Sequence, residues 1–201
     1  MTYHRYAGAL KIVTASTEEP VTLPEAKLWL RLDEFSVDED DLINGLISRA
    51  RLFWEDVTNR SALVQTFDYY LDEQPKDSCP IELPKAPLVA VTSIKGYALT
   101  ENSDSGGTAM STSGYYVDTA HEFGRVMPLS AYYYPVATRS INPVTVRFTA
   151  GYSTSTTGVP DTVKAEIKGL VAQLYEHRGD EGAQASALNA YRSELDLPTW
   201  G

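Results

Sequence analysis

The chain has few of the residues that usually carry chemistry or covalent crosslinks. Its 201 residues include one cysteine, Cys79, and three histidines, His4, His121 and His177, which are far apart in the sequence. A lone cysteine excludes a disulfide within the chain, and without a base nearby in sequence we interpret the Cys79 thiol as a bystander rather than a nucleophile. We interpret His177 as a helix-end residue that meets the helix dipole favourably, not as a metal ligand.

Long hydrophobic runs and basic patches are missing too. No stretch approaches the roughly 18 apolar residues of a membrane helix, and Lys11 interrupts the apolar stretch near the N-terminus, so we expect neither a membrane span nor an export signal. The net charge is −10, with 7 basic and 11 acidic residues in 1–60, 6 and 9 in 61–160, and 4 and 7 in 161–201. Because Lys and Arg supply duplex affinity by neutralising phosphates, this distribution argues against a DNA clamp.

Motifs for catalysis or ligand binding are also lacking. Residues 38–41 are four successive carboxylates, but they lack the alternating pattern of a calcium loop, and we interpret them as the acidic first turn of a helix. Gly106 and Gly107 are not followed by the Lys and Ser or Thr of a phosphate-binding loop. The sequence singles out no pair of acids for glycoside hydrolysis. We therefore predict no enzymatic activity, no cofactor and no metal site.

Two helices are predicted near the N-terminus. Thr22 and Glu25 form a capping box with Pro24 in the first turn, and Ser36 and Glu39 are expected to repeat the capping box at the second helix. Apolar residues at helical spacing then predict one buried stripe along the second helix. The stripe consists of Leu42, Ile43, Leu46, Ile47, Ala50, Phe53, Trp54 and Val57.

A further helix is predicted after Pro160, ending at the GDEG sequence 179–182, with a short helix to follow at 183–191. The apolar stripe of the helix after Pro160 consists of Val163, Ile167, Leu170, Val171 and Leu174. We expect the two stripes to pack together. The residues expected to be almost fully buried there are Ile47, Phe53, Leu170 and Leu174, and Phe53→Ala should cost about 3 to 5 kcal/mol.

Between the helices the sequence alternates with period two or forms short β-rich runs. Strands are predicted at 63–72, 81–83, 88–94, 115–118, 125–127 and 144–150. The predicted fold class is α+β: a helical bundle of N-terminal helices plus a C-terminal helix, with an inserted small, mainly antiparallel β-sheet. The predicted segments are a leader (1–20), the N-terminal half of the bundle (21–60), the β-rich insertion (61–158), the C-terminal half of the bundle (159–192) and a tail (193–201).

A run of tyrosines, Tyr132, Tyr133 and Tyr134, precedes Pro135. Tyrosine offers a large contact area with a polar tip, so these residues are interface candidates; packing within the sheet is the alternative.

The order of several sequence blocks resembles the head-to-tail connector (adaptor) family of tailed bacteriophages and gene transfer agents. The resemblance covers roughly residues 21–178. Its blocks are VTLPEAK (21–27), VTNRSAL (57–63), IELPKAPLVAVTSI (81–94), YYVDT (115–119), GRVMP (124–128), VRFTAGY (146–152) and VPDTVKAEIKGLVAQLYEHR (159–178). The leader and the LDLPTWG ending match no block of the family.

The resemblance implies a structural virion protein rather than an enzyme. It would form a homo-oligomeric ring of twelve copies beneath the portal protein, above a stopper or tail-completion protein, in a virion neck assembled in the host cytoplasm. Genomic double-stranded DNA would pass through the lumen without sequence-specific binding. Two explanations of the acidic charge remain open: it lines the lumen and repels DNA, or it serves only solubility. The resemblance also makes the C-terminal segment the portal-interface candidate, with residues Tyr191, Leu195, Leu197 and Trp200.

Two alternatives come from other classes of protein. A tail-terminator or head-completion protein would also form a ring, but usually shows a more continuous β-barrel pattern. A carbohydrate-binding or carbohydrate-active module is suggested by the 13 Tyr and 3 Trp.

Overall fold

The computed structural model describes residues 7–76, 79–130 and 132–194. Within these ranges the chain divides into two compact units. The sheet unit comprises 7–15 and 64–151, and the helical unit comprises 16–63 and 152–194. The prediction of an α+β fold is confirmed, since four α-helices and two antiparallel sheets make up the described chain.

The helical unit contains all four α-helices and a short 3-10 helix. Their bounds are α1 (Leu23–Leu30), α2 (Asp40–Thr58), the 3-10 helix (Thr156–Gly158), α3 (Asp161–Glu176) and α4 (Glu181–Glu194). The predicted capping box of α1 is confirmed: the Glu25 N–H donates to Thr22 Oγ1 at 3.3 Å, and the Thr22 N–H donates to the Glu25 carboxylate at 2.7 Å. None of the helices in the described ranges is long and apolar enough to cross a membrane.

The second predicted capping box is wrong. Helix α2 begins at Asp40, and its N-cap residue Glu39 makes no side-chain capping hydrogen bond. Ser36 lies in the preceding turn, where its carbonyl accepts a hydrogen bond from Lys27 Nζ at 2.6 Å. The same ammonium forms an ion pair with Asp40 at 2.5 Å, so Lys27 fixes the start of α2. Asp40 and Asp41 do lie in the first turn, as the dipole interpretation requires.

Facing stripes of α2 and α3 form the core of the helical unit. Ile47, Leu170 and Leu174 are almost completely buried, as predicted. The prediction for Phe53 is wrong: its side chain is only half-buried, because it lies at the margin of the stripe and is covered from one side by α4. Its ring centroid is 6.1 Å from that of Tyr191. Leu42, at the same margin, is exposed.

The sheet unit contains two sheets rather than the single sheet predicted. The strands are β1 (Gly8–Thr14), β2 (Gln65–Leu71), β3 (Ile81–Glu82), β4 (Leu88–Gly96), β5 (Thr108–Ala109), β6 (Tyr115–Asp118), β7 (Arg125–Pro128) and β8 (Val144–Ala150). The five-stranded sheet has the order β1-β2-β8-β4-β5, and the three-stranded sheet has the order β3-β7-β6, with all these strand pairs antiparallel.

The two sheets share one apolar core. Phe67 of β2 and Phe148 of β8 stack at its centre with ring centroids 5.4 Å apart. Ile81 and Val126 of the three-stranded sheet are fully buried in the same cluster. The inner face of the three-stranded sheet is thereby covered, which leaves its other face as a surface of the unit.

Strand β1 is not predicted by the sequence. It pairs with β2 from Gly8, opposite Leu71, to Thr14. All seven of its residues are exposed, so no burial pattern marks it in the sequence. Gly8 is required by packing, because a Cβ there would lie 2.1 Å from the Tyr70 carbonyl oxygen.

Candidate interaction surfaces

Several of the groups that could carry chemistry make local structural contacts. The described ranges contain no cluster of three His, Cys, Asp or Glu side chains that could hold a metal ion. His177 caps α3 through its backbone N–H, which donates to the Gln173 carbonyl at 3.2 Å. His121 Nδ1 lies 3.0 Å from the Phe123 carbonyl oxygen. His4 lies outside the described residues. Cys79 is half-buried.

Three carboxyl groups have a lowered pKa, and structural hydrogen bonds explain each of them. Hydrogen bonds from the Arg125 guanidinium lower the pKa of Asp118, and backbone N–H groups of Gly107 and Ala98 lower the pKa of Glu101. Burial acts to raise the pKa of Glu25, but hydrogen bonds from Thr22 and Lys164 outweigh it and the pKa is lowered. A lowered pKa is typical of a carboxylate held by structural hydrogen bonds, whereas a general acid needs a raised one. The exposed apolar surfaces are therefore the candidates for function.

The first such surface is the outer face of the three-stranded sheet. Tyr116 of β6 is 64 % exposed and lies directly opposite Met127 of β7, which is also exposed. Leu129 is two residues beyond Met127 and exposed, and Tyr132 packs over Gly114, where a Cβ would come within 2.8 Å of the tyrosine ring. We call this the aromatic surface; it comprises Tyr116, Met127, Leu129, Tyr132 and the adjacent Tyr133.

Backbone hydrogen bonds hold the aromatic surface in place. The Leu129 N–H donates to the Gly114 carbonyl at 2.9 Å, and the Tyr132 N–H donates to the Leu129 carbonyl at 2.8 Å. A backbone that is already fixed loses little conformational entropy on binding, which favours association.

The tyrosine run divides between the surface and the core. Tyr132 is exposed and Tyr133 is 70 % exposed, so both are available for contact. Tyr134 is buried, and its hydroxyl lies 3.1 Å from the Cys79 carbonyl oxygen and 3.0 Å from that of Val126. The interface interpretation is therefore wrong for Tyr134, because its ring fills the core and its polar tip is already satisfied.

Charge near the aromatic surface is confined to one end. Asp118 and Arg125 form an ion pair there, next along the strands from Tyr116 and Met127. Glu82 lies opposite Arg125 in the register of β3 and β7. The remainder of the surface is uncharged.

The second surface lies on α1 and the turn that follows it. Leu28 is 80 % exposed, Phe35 is 87 % exposed, and Trp29 and Val37 are exposed beside them. Residues 33–41, DEFSVDEDD, carry six carboxylates and no Lys or Arg. A groove of about 240 Å³ runs along it, lined by Pro24, Glu25, Leu28, Leu32 and Glu34. We call this the acidic apolar surface.

The third surface is the β1 edge, defined as Gly8–Thr14. Strand β1 lies at the end of its sheet and pairs with β2 on one side. Leu10, Ile12 and Val13 are exposed, and Lys11 is the only charged residue of the strand. An exposed edge strand presents unpaired backbone groups and is a template for pairing with another chain.

The portal-interface candidates fall in two places. Tyr191 lies in α4, which includes the short helix predicted at 183–191, and its hydroxyl donates to Glu166 at 3.2 Å. Leu195, Leu197 and Trp200 lie outside the described residues. A portal contact by any of these four residues stays a prediction.

Comparison with known proteins identifies a family for the chain. The sequence model of the family described as phage gp6-like head-tail connector protein matches residues 20–123, just over half of the chain. No curated protein sequence matches at a significant level.

Solved structures show the same fold. A chain in the neck of an empty gene transfer agent (GTA) particle, computed with C6 symmetry, is 24 % identical with a TM-score of 0.72, over 96 % of this chain and 98 % of that one. A chain in the virion of a native gene transfer agent particle is 22 % identical with a TM-score of 0.71, over 96 % and 97 %. A chain in the neck of a native particle, computed with C12 symmetry, is 22 % identical with a TM-score of 0.62, over 96 % and 98 %.

These observations define a structural assembly protein of the virion. The chain belongs to the phage gp6-like head-tail connector family, and the resemblance noted in its sequence is confirmed. The aromatic surface also includes Tyr116, Met127 and Leu129, which the sequence analysis did not name as interface candidates. Alternation along YYVD and RVMP marks one exposed side chain in each strand, but sequence does not reveal that β6 and β7 are partners.

Proposed function

We propose that this connector acts as a homo-oligomeric ring in the neck of a virion. The ring, of twelve copies matching the portal, sits between the portal protein and a stopper or tail-completion protein, and it is assembled in the host cytoplasm. Its action is geometric: it extends the DNA channel and offers a docking site for the tail. The observation that carries the proposal is the family match over residues 20–123.

The number of exposed apolar surfaces supports a multi-partner role. The aromatic surface, the acidic apolar surface and the β1 edge each leave large apolar side chains in water. Contiguous exposed apolar patches on soluble proteins mark interaction sites. A subunit of a neck ring needs contacts with two neighbours, with the protein above and with the protein below, so several such surfaces are expected.

The C-terminal tail remains the proposed portal anchor. Leu195, Leu197 and Trp200 are large apolar residues close together in sequence. Burying each of them in a groove of the portal would contribute about 1.5 to 3 kcal/mol, and a ring repeats the contact in every copy. Tyr191 would orient the start of the tail through its contact with Glu166.

The genome passes through the ring without being bound. A net charge of −10 repels phosphates and lets the duplex slide during packaging and ejection. The role requires no catalysis, cofactor or metal ion.

Deletion of residues 195–201 tests the portal anchor. The truncated chain should fold with the thermal stability of the full chain, because residues of the described ranges, all before residue 195, already form a continuous apolar core in the helical unit. Cells that make the truncated chain should produce DNA-filled heads without tails. The matched control replaces the three apolar side chains by Ser at constant length and should give the same defect. Normal joining of heads and tails by either variant would contradict the tail as anchor.

A further inference from the structure

We propose that neighbouring copies in the ring contact each other through their sheet units, with the β1 edge of one copy packed on the aromatic surface of the next. The inference rests on the proposed ring and names the surfaces that close it. The occupant of the aromatic surface is thus a second copy of this chain.

Ring closure requires two different surfaces on every copy. A closed ring with one kind of contact is built from head-to-tail interfaces, in which one patch of a subunit meets a different patch of its neighbour. The sheet unit carries two such patches on different strands. The β1 edge is a narrow, exposed strand, and the aromatic surface is a face of the three-stranded sheet.

Charge distinguishes the β1 edge and the aromatic surface from the acidic apolar surface. Each copy carries −10, so copies repel unless they meet where acidic groups are sparse. The acidic apolar surface stays net negative, because the six carboxylates of residues 33–41 outnumber the nearby cations Lys27, Arg31, Lys168 and Arg178, so it is a poorer choice for a second acidic copy. The β1 edge has no acidic residue, and the acidic groups of the aromatic surface lie at one end, where Asp118 is paired with Arg125.

The chemistry of the two surfaces is complementary. Ile12 and Leu10 offer aliphatic side chains to the flat rings of Tyr116 and Tyr132. The Lys11 ammonium can lie over a tyrosine ring, an attraction that strengthens as water is excluded. Tyrosine hydroxyls can donate to and accept from the backbone groups on the outer side of β1. Leu10 and Ile12 lie on one face of β1 and Lys11 on the other. Because a partner that approaches the edge of the strand can contact both faces, these contacts can form together.

The same charge argument assigns the acidic apolar surface to another kind of partner. Its carboxylates repel DNA and further copies of this chain and favour a basic, apolar segment of a different virion protein. It therefore serves as the negative control below.

Cysteine crosslinking in assembled particles tests the contact. In a Cys79→Ser background, the pair Ile12→Cys with Met127→Cys should form disulfides between neighbours on oxidation. A non-reducing gel should then show a ladder in steps of one chain mass, 22.2 kDa. Either cysteine alone, or Phe35→Cys with Met127→Cys, should give no ladder. Assembled particles that yield no ladder with the Ile12 and Met127 pair would overturn the inference.

A second test, with oppositely charged substitutions, applies if the cysteine pair prevents assembly. Ile12→Asp or Met127→Lys alone should reduce joined particles at least tenfold, and the double variant should restore them by pairing Asp with Lys across the contact. The exposed loop variant Leu99→Asp should have no effect. A double variant no better than the worse single one would overturn the pairing. Images of the neck separate the two proposals. A ring whose subunits do not crosslink would contradict only the proposed contact. Heads and tails joined without any ring would contradict the proposed function.

Discussion

Two adjacent aromatic residues on α2 contribute very differently to stability. Trp54 is buried between α2 and α3, and its Nε1–H donates to Glu166 at 2.5 Å. Trp54→Ala should lower the free energy of unfolding by about 3 to 5 kcal/mol, because it leaves a cavity in the core. Phe53→Ala should lower it by only about 1 to 2 kcal/mol, since the side chain is half-buried. Urea denaturation of the two variants measures both values, and equal losses would contradict the described packing.

Glu25 should make stability depend on pH in the acid range. Its folded pKa is lowered from the ordinary 4.5, so its stabilisation is complete above that pH and is lost as pH falls through the folded value. Glu25→Gln should reduce the loss of unfolding free energy on acidification, because glutamine does not titrate. Urea midpoints measured at falling pH check this. An acid dependence that is the same in Glu25→Gln as in the wild type would contradict this role of Glu25.

At the scale of elements, a cross-strand ion pair ties β2 to β8. Arg147 Nε and Nη2 donate to the two carboxylate oxygens of Asp68, each at 2.7 Å. The hydrogen bond to Asp68 is the main cause of the raised pKa of Arg147. Asp68 is buried, while the Arg147 side chain is 45 % exposed, so the pair is only partly shielded from solvent.

Arg147→Met should lower the free energy of unfolding by about 2 to 3 kcal/mol, because the Asp68 carboxylate is left buried without its donors. Arg147→Lys keeps the charge but loses the two-point geometry, and it should lose less. Adding Asp68→Asn to Arg147→Met should recover part of the loss in a denaturation series. Strictly additive losses would show that the two side chains do not depend on each other.

Elements with a buried face were predictable from sequence, and elements without one were not. The stripes of α2 and α3 and the alternation of β2 reflect burial against one core, so their positions follow from periodicity. Strand β1 escaped prediction because all of its residues are exposed in the part of the chain that the structure describes. The start of α2 was misplaced because Lys27, a residue of another helix, fixes the turn that holds Ser36. No local pattern encodes that contact.

The interaction surfaces were predictable only in part, for a related reason. Tyr132 and Tyr133 attract notice as a sequence run, but whether a tyrosine faces water or the core depends on the strand register around it. Tyr134 turns inward because Val126 and Cys79 offer carbonyl oxygens there. Tyr116 and Met127 become one surface only when β6 and β7 pair.

At the scale of the whole molecule, the acidic charge predicts weak interaction with DNA. Purified protein should not shift a DNA duplex in a gel at about 150 mM salt, where basic proteins retain micromolar non-specific affinity. A basic protein of similar mass is the positive control and should shift the duplex under the same conditions. A clear shift by the wild-type chain would contradict a channel wall along which DNA slides.

The most direct test of the connector role is an averaged image of the particle neck, recorded with and without this chain. Particles from cells that make the chain should show a ring of density between the portal and the tail. Cells lacking it should produce DNA-filled heads and separate tails, and supplying the chain should restore both the ring and the joined particles. An unchanged ring and normally joined heads and tails in the absence of the chain would contradict the account.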